Sequence, residues 1–236
     1  MTVTGLRTAA EEFAARLNHV IVSAVGTAER FGVDISRSGD QAVVQLAPTG
    51  DIDSSGLGLL RSCDDGDRPA LFLRAKFTVE MDVENANLRV MSSTIGLRVD
   101  VTGGRRQARP IVRVEFDRRR LQSGRATAHV HLHANSPELA WVYGTSARPA
   151  PDLHALHFPA GGRRFRPTLE EFLLFLDREN LFNDWKDGWK PKLIQSLEAW
   201  ERMQARATAR QFPDEAVGAL EAIGYNVTAP TWDAAV

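Results

Sequence analysis

Between residues 71 and 83 apolar and polar side chains alternate almost without interruption. Leu71, Leu73, Ala75, Phe77, Val79, Met81 and Val83 fall on one side, and Arg74, Lys76, Thr78, Glu80 and Asp82 on the other. A period of two places successive side chains on opposite faces of an extended chain, so this segment is a long strand with one buried face. Its backbone needs neighbouring strands and its apolar side needs a covering layer, which commits the chain to a sheet with helices or a second sheet on one face.

The partner strands are legible nearby. The turn Glu84-Asn85-Ala86-Asn87 leads into an apolar run over residues 88–101, whose parity changes between Val90 and Ile95 and predicts a bulge or break near Ser92 and Ser93. Gly103-Gly104 returns the chain into a strand with Val112, Val114 and Phe116 inward and Arg113, Glu115 and Asp117 outward. A further strand is predicted over residues 125–133, and shorter ones at 42–46 and in LHALHF, 153–158. Short connections favour an antiparallel meander, which leaves its second face polar. The turn-rich PTGDIDSSGLG, residues 48–58, is expected to lead into a short helix before Cys63.

Helical patterns flank the strands. Leu6, Ala10, Phe13, Leu17, Val20, Ile21, Ala24 and Ala28 recur at spacings of three and four, predicting a helix that ends near Gly32, with His19 bordering its stripe. Ser136-Pro137-Glu138 has the form of a helix start, and Thr168 with Glu171 forms a capping box before Leu169, Phe172, Leu173 and Leu176. Helices are predicted over residues 190–211 and 214–223, with Trp185, Trp189 and Trp200 packing them. The fold class is therefore α+β: an N-terminal helix, a central antiparallel meander of about four to five strands, and a helical C-terminal third. It divides into a domain over 1–166 and a helical region over 167–236 packed on the sheet.

Composition narrows the chemistry. The chain has 236 residues and one cysteine, Cys63, which rules out an internal disulfide and a cysteine-based zinc ribbon. The acidic neighbours Asp64 and Asp65 disfavour a thiolate there, and no Gly-x-Ser-x-Gly elbow occurs. Neither a basic-then-apolar leader nor a long apolar run is present, so the expected setting is cytoplasmic, with no membrane partner.

Charge is unevenly placed behind a net value of −1. Residues 105–166 hold 12 basic against 4 acidic side chains, while 1–104 hold 10 against 14 and 167–236 hold 7 against 12. Five of the six histidines fall in the basic middle. That coincidence points to an anionic ligand, a nucleic acid or another phosphate-bearing molecule.

The histidines concentrate the chemistry. His129, His131 and His133 alternate with Val130 and Leu132, so the three imidazoles share the polar face while the aliphatic pair faces the core. Arg113, Glu115, Arg74 and Lys76 can reach the same face from neighbouring strands, and His157, Arg163, Arg164 and Arg166 can close over it. The favoured expectation is metal-free chemistry on a phosphodiester, as in a ribonuclease-like effector. His131, His133 and His157 would move protons, and Arg113, Arg163, Arg164 and Arg166 would hold phosphate. The alternative is a zinc-dependent hydrolase: two histidines two apart on a strand can share one ion, so His129, His131, His133 and His157, or His154 as third ligand, form the candidate set. A third expectation is a non-catalytic module that binds a protein through its acidic flanks or C-terminal helices. GGRRFRP is not a phosphate loop, since it lacks the Gly-Lys-Ser/Thr ending, and its arginines have acidic neighbours in Glu170 and Glu171.

Overall fold

A computed structural model describes residues 3–26, 29–47, 56–61, 70–82, 87–100, 108–119, 126–134, 153, 156–160 and 166–228. The architecture is α+β: an N-terminal helix, an antiparallel sheet and C-terminal helices. The helix α1 spans Val3–Ala24 and is followed by strands β1 (Arg30–Ile35), β2 (Ala42–Ala47), β3 (Leu57–Arg61), β4 (Ala70–Met81), β5 (Leu88–Asp100), β6 (Arg109–Asp117), β7 (Ala128–Leu132) and β8 (Phe158–Pro159). Helices α2 (Leu169–Arg178), α3 (Trp189–Gln211) and α4 (Pro213–Ala222) complete it.

The eight strands form one sheet in the order β1-β2-β4-β5-β6-β7-β8, with β3 beside β4. β4 is the spine. One edge pairs first with β2, through Val79 to Lys76, and then with β3, through Arg74 to Leu71, while its other edge pairs along its whole length with β5. The sheet has eight strands where a meander of about four to five was predicted from sequence, and two of them, β1 and β3, were not anticipated, for distinct causes. β1 was hidden by the helical pattern running on to Ala28. The helix in fact stops at Ala24, and the chain leaves it through Gly26 in the left-handed region at φ 68°. That backbone angle favours glycine, while the Lys186 side chain that a β-carbon would meet is flexible and can move aside. Asn18 then ties helix to strand, accepting from Phe31 N at 2.7 Å and donating to Phe31 O at 3.2 Å. β3 replaces the short helix expected before Cys63: Gly56 O accepts from Ala75 N, and residues from Leu57 onward continue the pairing with β4.

Elsewhere pattern and structure agree. Register shifts from Thr78↔Ser92 to Val79↔Val90, leaving Met91 as the extra residue one position from the predicted break. The capping box forms as read: Glu171 N donates to Thr168 Oγ1 at 3.0 Å, and Thr168 N donates to Glu171 Oε2 at 2.8 Å.

The core lies between α1 and the sheet. Leu6, Ala10, Leu17 and Ile21 on α1 are buried with Leu73, Ala75, Phe77, Ile95 and Leu97, and Phe13 meets Phe77 edge to face at 5.3 Å. α1 packs on β1 and β2 and reaches β4 and β5. The opposite face is not uniformly polar. Leu57, Ala70, Phe72 and Ala108 form an apolar cluster at one end of it, with Leu59 against them.

The chain divides into two compact units, Met1–Leu193 and Ile194–Val236, so α2 belongs with the sheet and the division falls inside α3. In the first unit Trp185 and Trp189 stack at 4.1 Å, with Trp189 buried and Phe182 edge-on to Trp185. The second unit continues α3 into α4, with Met203, Phe212 and Leu220 exposed. Among the described residues no helix is long and apolar enough to cross a membrane.

Candidate metal centre

Backbone pairing places the charged side chains of the second face in rows that cross the sheet. One row runs Arg74, Gly96, Arg113, His131, and the next runs Lys76, Thr94, Glu115, His129, Pro159. Directly paired residues share a face, so the expected gathering of His129, His131, Arg113, Glu115, Arg74 and Lys76 is realised by register alone. His157, two residues before Pro159 on the last strand, falls on the same face.

Three imidazoles meet there. The ring centroids of His129 and His131 are 4.9 Å apart, and each lies 4.7 Å from that of His157. One nitrogen from each ring can be chosen so that all three lie within 4.8 Å of one another. A zinc ion about 2.0–2.1 Å from three imidazole nitrogens at tetrahedral angles sets those nitrogens about 3.4 Å apart and the ring centres about 5 Å apart. The ring centres are thus spaced much as such a site requires, while the nitrogens, which spread to 4.8 Å, have to draw together by about 1 Å or more on binding.

Burial differs from the open polar face expected from sequence. His129 is 0% exposed and His131 4%, whereas His157 is exposed and Leu132, expected in the core, is 41% exposed. The alternation itself is correct. The reversal arises because α1 covers the opposite end of the sheet, over β1 and β2, so the aliphatic side of β7 lies well beyond that layer.

Glu115 supplies the negative charge. Its Oε2 stands 3.3 Å from His129 Nε2 and 3.6 Å from His131 Nε2, and its Oε1 lies 2.8 Å from Arg113 Nε. One carboxylate thus touches two members of the triad and one arginine. Among the described residues, Arg74, Arg98 and Arg113 add positive charge nearby. Desolvation lowers the pKa of Arg74 from its ordinary value, Arg113 lowers it further, and Glu115 raises it. Arg98 is likewise lowered, by desolvation first and then by Arg74 and Arg113. Arg98 donates Nε to Ala108 O at 2.9 Å and also donates Nη2 to it, which commits its head group.

Other predicted site residues are placed differently. His133 is not one of the three clustered rings, so the expected acid–base pair of His131 and His133 does not form the constellation; His129 takes its place. Its backbone N–H donates to Ile111 O just past the end of β7. Arg166 lies on the opposite face, its guanidinium 5.7 Å from the centre of the Phe77 ring beneath α1. Desolvation pushes it down to about 10, opposed by Glu170 and Glu171. Arg163, Arg164, His154, Cys63 and the helix predicted from Ser136 lie outside the described residues. His19 is exposed on α1.

Sequence reasoning missed Gly96. It sits between Arg74 and Arg113 in its row, and a β-carbon there would come 2.7 Å from Val112 O and 3.4 Å from Arg113 Cβ. A glycine inside an apolar strand run, Ile95-Gly96-Leu97, is the signal that could have found it.

Comparison of the chain with protein-family models, with curated proteins and with solved structures finds no match.

Proposed function

We propose that this protein binds a transition metal ion, with zinc as the best fit, through His129, His131 and His157, and that the ion activates water for hydrolysis. The observation that carries the reading is the near-equilateral triangle of rings, two of them on β7 and the third immediately before β8, which pairs with it. Neutral imidazole is a good zinc donor, and three protein ligands leave a fourth position for water. Zinc lowers the pKa of such a water toward neutrality and so makes hydroxide available. The exposed ligand His157 gives that position a route to solvent.

Glu115 fits the same reading twice. It offsets the charge of a divalent ion otherwise bordered by arginines, and it braces two of the ligand rings, as carboxylates beside zinc-bound histidines do. Metal-free proton transfer is the weaker alternative, because the intended partner of His131 stands outside the cluster.

Elemental analysis of untagged protein, followed by titration of the apoprotein with zinc, tests the proposal. One equivalent of zinc is expected, with uptake lost in His131→Ala. Undiminished binding in that variant, or none in the wild type, overturns the assignment.

A further inference from the structure

Arg74 and Arg113 stand on either side of Gly96 in one row of the sheet, and the same row ends at His131. Neighbouring strands are spaced about 4.7–4.9 Å apart, so the two arginines leave the sheet about 9.5 Å from each other and Arg113 leaves it about 5 Å from the triad ligand. Gly96 contributes no side chain to the space between them. Among the described residues Nε of Arg74 is buried without a hydrogen-bond partner, and Arg113 is ion-paired only through Glu115. Arg98, which adds positive charge to the same region, has its guanidinium engaged on Ala108.

We propose that Arg74 and Arg113 form a subsite for a phosphoryl group, so that the substrate of the zinc centre is a phosphate ester held across Gly96. This rests on the zinc reading and adds the substrate class to it. A tetrahedral phosphoryl dianion offers separate oxygens to the two guanidinium groups, whose planar forks match its edges. A monocarboxylate has one charge and two oxygens, which a single arginine satisfies. The field favours the dianion: three guanidinium groups interact with one another, and Glu115 is the carboxylate that acts on Arg74. Asp100 and Asp117 occupy the far ends of β5 and β6.

The test uses the full chain, with zinc and inorganic phosphate as separate probes. Zinc affinity is measured first, and phosphate is then titrated into the zinc-loaded protein, with acetate as a comparator. Wild type should bind phosphate in preference to acetate. Arg74→Met should weaken phosphate by about tenfold or more, the scale of a lost charged hydrogen-bonding group, while zinc affinity stays within about threefold. Arg74→Lys, which keeps the charge but not the fork, should fall between the two and serves if the methionine variant does not fold. Zinc uptake with no phosphate binding, or with phosphate affinity unchanged in both variants, overturns the subsite and leaves the metal centre standing. Absence of zinc uptake by wild type overturns the metal centre, and this substrate assignment with it.

Discussion

Glu115 Oε2 lies 3.3 Å from His129 Nε2, a contact made because β6 and β7 pair these two residues directly. The imidazole is fully buried, and the carboxylate puts negative charge against it in a region where Arg74 and Arg113 also lie. Glu115→Gln keeps the shape and removes the charge. Zinc affinity is expected to fall by about 10–100-fold, the usual cost of losing a partner behind a metal-bound histidine. Competition with a chromophoric chelator measures it, and unchanged affinity would detach Glu115 from the site.

His157 offers the cleanest test of the ligand set because it is exposed. His157→Ala should leave the melting temperature of the metal-free protein nearly unchanged, since surface substitutions generally move stability by about 0.5 kcal/mol or less. It should also abolish most of the stabilisation that zinc confers on the wild type. Differential scanning fluorimetry with and without zinc separates the two effects; an equal zinc-induced shift in both proteins would remove His157 from the set.

Gly96→Ala forces a β-carbon against Val112 O and toward Arg113. The contact at 2.7 Å is with backbone inside a paired strand, which cannot swing away, so a destabilisation of about 1–3 kcal/mol is expected, as for other overpacked sites. Chemical denaturation checks the magnitude. A variant as stable as wild type would show that β5 and β6 have slack at this point.

Arg166 and Glu170 should be coupled across the core face. Desolvation opposes the guanidinium and Glu170 is the largest force restoring it, so either single substitution leaves a charge without that partner. A double-mutant cycle with Arg166→Met and Glu170→Gln is expected to give a coupling of about 1 kcal/mol or more. Additive losses would mean that other groups hold Arg166.

Asp40 provides a pH signature in the β1–β2 turn. Ser38 and Ser36 donate to its carboxylate and hold its pKa below 3.8. A lowered folded value means that the unfolded chain binds more protons in this window. The contribution is therefore complete above the ordinary aspartate range and is lost as pH falls through the folded value. In the double variant Ser36→Ala, Ser38→Ala the carboxyl resonance should titrate closer to 3.8, and an unmoved titration curve would contradict the assignment.

How much of this was legible in the sequence depended on whether local pattern or remote packing set the outcome. The alternation over 71–83 specified β4 because no other periodicity fits it. The capping box at Thr168 and the bulge near Ser92 were readable for the same reason, since each is decided within a few residues. β1 and β3 were not readable. A helical stripe that overran its true end concealed the first, and a turn-rich approach made five residues look like the start of a helix for the second.

The site divides along the same line. That His129 and His131 leave one side of a strand follows from the two-residue repeat of an extended chain, and composition alone placed them in the basic stretch. Which third ring joins them, that His133 stays out, that Glu115 rather than a distant acid faces them, and that Arg166 goes to the other side of the sheet were decided by strand order, register and the position of α1. Alternation is a property of neighbours in the chain, whereas register and coverage are properties of segments far apart in it, and only their packing together selects among the arrangements that the same pattern allows.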